Sequence, residues 1–256
     1  MIRRLVTTVR LELGDFFAGL KLVPVVVFVV AGLALWAYHY YGRDDFFNAT
    51  LAHALSSRGW KMQSVSLARC CFWSVSALPL LVLFPQISLR LATRRSPDDR
   101  VPTVGWGLGD WRAGLTACAL FYGFMLVTLP FVAGTAEFQA KYPLCGEANR
   151  TWSNFFLYEL SYATFFVWWE YFFRGFMTFG LEKTLGFWTV FVQMLPFVVM
   201  HFDKPTLEAM SSIFGGIALG YLALRTRSFW YGAFIHAATA VTLDVIAVAL
   251  KHAHAH

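Results

Sequence analysis

Apolar residues fall in long unbroken runs along most of this chain, parted by short stretches of charged and turn-forming residues. About 20 apolar residues carry a helix across the hydrocarbon core of a bilayer, whereas a tilted strand needs about 10 of alternating polarity. The runs do not alternate, so the pattern predicts helices. Seven spans are expected, at about 22–41, 68–91, 113–136, 154–181, 185–201, 207–224 and 229–250. Pro79 and Pro85 fall inside the second and predict a kink, because proline removes a backbone donor and crowds the preceding turn. In VGWGLGDWRAGL, Asp110 has the place of an N-terminal cap for the third span. Ser212, Gly216 and Gly220 are four apart, a stripe of small residues that admits a neighbouring helix closely. Ahead of these spans, residues 1–21 form a basic amphipathic segment: Ile2, Leu5, Val6, Val9, Leu13, Phe16 and Phe17 share one broad face, suited to lying on a membrane surface. Residues 22–250 are then one transmembrane domain, and 251–256 a histidine-containing tail. The expected fold class is all-α, a polytopic transmembrane helical bundle.

Composition agrees with the pattern. Of 256 residues, 58% are hydrophobic and 14% charged, where soluble domains have about 25% charged. The net charge of +6 comes from Lys and Arg that flank apolar runs, so it points to a lipid bilayer and not to nucleic acid. Under the expected topology twelve Lys and Arg lie on the N-terminal side of the membrane and eight on the other, which puts the N-terminus inside. Four cysteines, Cys70, Cys71, Cys118 and Cys145, show no pairing pattern.

One stretch changes the picture. In WWEYFFRGF, Glu170 and Arg174 are the only ionisable side chains, tyrosines aside, between Glu159 and Glu182. A charged side chain at a helix centre in lipid costs about 2.5–3.5 kcal/mol on insertion scales, so it marks a site by default. Four residues apart, the two share a helix face with the acid on the N-terminal side, the favourable order. A structural ion pair meets the same description. The fifth span ends in FVVMH, with Phe197 and His201 on one face, and the seventh contains FIHAATAVTLD, with His236 and Asp244 two turns apart. One imidazole on an apolar face is an ordinary packing residue. Two from separate spans, with a carboxylate and a guanidinium from a third, fit a shared wet pocket. Such a set can take a proton from water, direct the hydroxide at a carbonyl and stabilise the oxyanion. His201 lies about 10 Å from the middle of its span at 1.5 Å per residue, a gap that a short or tilted fifth helix closes. Glu159, three turns before Glu170, is expected at headgroup level. Lys204 and Glu208 are expected in cap and surface roles.

The order Glu-x-x-x-Arg-Gly (Glu170, Arg174, Gly175), then Phe-x-x-x-His (Phe197, His201), then His236 in the last span resembles the CAAX-protease and bacteriocin-processing membrane peptidases, the ABI-type or glutamic intramembrane proteases. The resemblance covers roughly residues 157–248. It implies an all-helical core with the site sunk in the membrane, where a Glu and a His activate water to cut a peptide bond, in a multi-pass protein expected in the bacterial cytoplasmic (inner) membrane. The residues themselves show no Ser–His or Cys–His arrangement for a covalent intermediate and no H-E-x-x-H, so no cofactor or metal is expected. Its substrate would be a peptide or protein with a membrane-embedded or C-terminal tail segment, and one branch is similar to enzymes that remove C-terminal sorting tails. Carried over, Glu170 is the base, His201 shares the proton and orients water, Arg174 positions Glu170, and His236 polarises the scissile carbonyl. Two departures stand out: Trp169 replaces the first acid of an adjacent Glu pair, and Ala240 replaces an Asn. They leave open a non-catalytic protein of the same fold. A zinc site built from Glu170, His201 and His236, and a transporter, are the remaining alternatives.

Overall fold

The computed structural model describes residues 19–254, helices joined by turns and loops with no strand among them. The amphipathic segment therefore lies outside the described residues, except for its last three. The helices along the apolar runs are α1 (Leu22–Tyr41), α2 (Met62–Arg95), α3 (Trp111–Ala133), α4 (residues 152–185), α5 (Thr189–Val199), α6 (Thr206–Thr226) and α7 (Trp230–His254), with shorter helical segments in the links at residues 44–57 and 136–141. Five of these, α1, α2, α3, α6 and α7, are long and apolar enough to cross a membrane. The expected count of seven spans is thus not reached on length and apolarity. α4 carries Glu159, Glu170, Arg174, Glu182 and Lys183. α5 has 11 residues, or about 16 Å. The last rod continues through His254, beyond the expected start of the tail.

The prolines of α2 widen it without breaking it. A π turn spans Leu78–Leu83, and Phe84 N–H reaches the Pro79 carbonyl. The longer repeat absorbs the missing donor. At the start of α3, Asp110 accepts from the Ala113 backbone N–H at 3.1 Å and from Arg225 at 2.8 Å. These two partners hold its carboxyl below the usual carboxylate range.

α7 packs against α3 and α4, α2 against α1 and α4, and α5 against α6. The small-residue stripe forms the last of these seams. A Cβ on Gly220 would come within 2.7 Å of Gln193 Nε2, and one on Gly216 within 2.9 Å of Met194 Cγ. The space goes to a hydrogen bond, Gln193 Nε2 donating to the Gly216 carbonyl at 2.7 Å.

Polar contacts sort the rod ends into two sets. One end holds Lys21 with Asp99, Arg225 with Asp110, Arg227 with Glu182, and Lys183 with the Asp98 carbonyl. The other holds Arg43 with Asp203, Lys204 with Glu208, Tyr142 with Glu208, and Lys251 with the Tyr142 carbonyl. Successive rods therefore run in alternate directions. At the second end Cys70 of α2 is disulfide-bonded to Cys145, with Cα atoms 5.8 Å apart. The chain brings together two cysteines separated by 75 residues, a pairing no local spacing reveals.

Candidate active site

Glu170 closes the regular part of α4, and the helix widens to π geometry over Tyr171–Met177. Single π turns inside α-helices are frequent at functional sites. Thr178 Oγ1 donates to the Phe173 carbonyl at 2.8 Å, five residues back, in step with the wider repeat. Both charged side chains face inward. Glu170 and Arg174 are each 0% exposed, and Arg174 Nη1 donates to Glu170 Oε1 at 3.1 Å. The guanidinium also lies over the Phe197 ring, 4.0 Å from its centroid. Burying this pair requires close geometry, because the attraction must offset the loss of water around two ions.

α7 supplies the third group. His236 Nδ1 is 2.7 Å from the same Oε1 of Glu170. A carboxylate already accepting from a guanidinium accepts from the imidazole too, so Nδ1 carries the proton and Nε2 keeps a lone pair. His201, just past the end of α5, has its Nδ1 2.7 Å from the Phe197 carbonyl. That oxygen can only accept, which again leaves Nε2 as an acceptor. The two imidazole rings lie 6.3 Å apart and nearly parallel, 20° between planes. Phe166 covers His236 at 4.1 Å between centroids, and Phe197 covers His201 at 4.5 Å. Glu170 is sealed, but the His236 side chain is 18% exposed. The accessible group is therefore the imidazole and not the carboxylate.

The four residues singled out in the sequence do converge, with a changed pairing. The expected partner of Glu170 is His201; the observed one is His236. The reason is helical rotation. Adjacent positions on a helix point about 100° apart, so Trp169 turns toward His201, 6.5 Å between rings, while Glu170 turns toward α7. The gap in depth is closed by the shortness of α5. Asp244 does not join the site. It is buried against Tyr158 and Glu159. Glu159 is 6% exposed and packs inward, because eleven residues return it to the face of Glu170. Lys204 and Glu208 meet at Tyr142, and the Lys204 backbone N–H donates to the His201 carbonyl at 3.0 Å. Among the described residues, no three His, Cys, Asp or Glu side chains are grouped to hold a metal ion.

One residue of the site went unnoticed in the sequence. Gly232, one turn before His236, lies against the second carboxylate oxygen. A Cβ there would stand 3.1 Å from Glu170 Oε2, and the turn spacing in α7 was the available signal. Gly232→Val would push against this carboxylate oxygen and turn it away from His236.

A bundle with five helices able to cross a membrane, holding an acid, a guanidinium and two imidazoles in its interior, defines a multi-pass membrane protein with a buried polar cluster. Residues 151–242 match the sequence model of the type II CAAX prenyl endopeptidase Rce1-like family, a little over a third of the chain and the part that contains all four of these side chains. No curated protein and no solved structure matches the chain.

Proposed function

We propose that the protein is an intramembrane endopeptidase of the glutamic type, in which Glu170 acts through His236. The observation that carries this is the Glu170–His236 hydrogen bond, which leaves Nε2 free on a partly exposed imidazole whose ring lies 6.3 Å from that of His201. His236 Nε2 takes a proton from water, and the hydroxide adds to the scissile carbonyl carbon. The buried carboxylate offsets the charge of the imidazolium. His201 Nε2 accepts the other water O–H and so aims the oxygen. His236 returns its proton to the amine nitrogen as the C–N bond breaks. Arg174 positions the carboxylate. Among the described residues neither imidazole is hydrogen-bonded to a Ser, Thr or Cys, which favours direct attack by water over a covalent intermediate. The family match supports a protease, and the substrate we assign is a membrane-anchored or exported protein with a membrane-embedded or C-terminal tail segment.

The same proposal places the chain in a bacterial cytoplasmic membrane with its N-terminus inside. The excess of Lys and Arg on that side supports it. So does the Cys70–Cys145 disulfide at the opposite end, since disulfides persist in oxidising compartments.

The test compares processed and unprocessed exported proteins in cells with and without this gene, then restores the gene as wild type, His201→Ala or His236→Ala. Either substitution should leave substrates unprocessed at normal abundance of the protein, a loss of about 10²–10⁴-fold for an acid–base group. A second reading, a non-catalytic protein of the same fold, rests on Trp169, whose indole occupies the place beside His201. Full processing by both variants would favour it.

A further inference from the structure

A cavity of about 520 Å³ opens where α2 ends, away from the catalytic candidates, lined among others by Gln86, Arg90, Thr93, Arg94, Arg100 and Thr103. Its lining is unusual in sign. It includes three guanidiniums and no carboxylate. Among the described residues none of the three arginines is ion-paired. The adjacent Asp99 instead faces Lys21 at 3.8 Å. Thr103 Oγ1 accepts from the Gly105 N–H at 3.1 Å, so its own proton is free to donate. Gln86 Oε1 accepts from the Tyr171 hydroxyl, which leaves the amide NH₂ as donor. Cations crowded into one concavity repel one another unless an anion sits between them. The donor set suits the oxygens of a phosphate, for which arginine forks are the preferred partner.

Position decides the source of that phosphate. α2 is one of the helices able to cross the membrane, and its last turn carries Arg94 and Arg95. Below them Leu83, Ile87 and Leu91 form an exposed apolar stripe at four-residue spacing, 49%, 56% and 53% exposed. Arg90 and Arg94 each follow a stripe residue by three positions, on the same face. A headgroup held by the arginines would therefore lay its acyl chains along this stripe. We propose that the cavity is a binding site for the phosphate headgroup of an anionic phospholipid. The site borders the catalytic helix, because Gln86 holds the hydroxyl of Tyr171, the residue after Glu170.

The experiment uses the full-length protein in nanodiscs of phosphatidylcholine with a minor share of phosphatidylglycerol, and native mass spectrometry counts the lipid retained. Wild type should retain phosphatidylglycerol selectively. The R90Q/R94Q/R100Q variant should lose that selectivity on the order of 100-fold, from about 5-fold for each basic residue near a charged bilayer surface. The R90K/R94K/R100K variant keeps the charge and should retain part of it, which separates binding from folding. Equal retention of both lipids by wild type, or unchanged selectivity in the glutamine variant, would overturn the proposal. Arginine-dependent binding of inorganic phosphate in pure phosphatidylcholine discs, with no preference for phosphatidylglycerol, would assign the cavity to a soluble anion and overturn the lipid reading.

Discussion

Replacing Glu170 with glutamine is expected to cut peptide-bond cleavage by about 10³–10⁴-fold, the range for disabling the group that orients and neutralises a catalytic imidazole. The shape of the side chain is preserved, so packing against Gly232 survives. Two things are lost. A neutral amide cannot offset the charge that His236 gains from water. An amide NH₂ turned toward Nδ1 would also draw the imidazole into the other tautomer, placing its proton on Nε2, where the lone pair is needed. The measurement is cleavage per mole of inserted protein, with the substrate identified from unprocessed exported proteins. Cleavage at the wild-type rate by Glu170→Gln would sink the assignment of this carboxylate.

Arg174→Leu is expected to act first on stability. The carboxylate beside it is 0% exposed and its Oε2 has no hydrogen-bond partner among the described residues. Removing the guanidinium strands a buried charge, at a cost of about 3–5 kcal/mol. The thermal midpoint in detergent and the abundance in membranes should both fall. Replacing both partners, as Glu170→Gln with Arg174→Met, should restore much of the stability and none of the activity, since a well-packed neutral pair avoids the desolvation of both ions. That split separates the holding role of the ion pair from its chemistry. Normal stability in Arg174→Leu would refute the holding role. Recovery of cleavage in the double variant would refute the catalytic one.

Much of this was legible before any coordinates. The apolar runs became helices, five of them long and apolar enough to cross a membrane, because hydropathy and length are local properties and lipid leaves the backbone few choices. Asp110 capped α3, and the Ser212–Gly220 stripe met α5, each for a reason carried within a few residues of sequence. The four polar groups were also visible, since charge inside an apolar run is costly enough to stand out. Their wiring was not. Whether Glu170 meets His201 or His236 turns on the rotation of α4, and one residue of phase exchanges the partners, as Trp169 shows. The inward placement of Glu159 and Asp244, and the join between Cys70 and Cys145, likewise depend on which helices become neighbours.

What the chain determined by itself was its solvent, its helices and the kinds of group it would bury, because transfer free energy and helical periodicity act residue by residue. What only the tertiary structure decided was which of those groups touch. Hydrogen bonds between helices need atoms within about 3 Å, and that distance is set by packing of rods far apart in sequence. The Glu170–His236 bond, which leaves one imidazole nitrogen free to meet water, belongs to that second category.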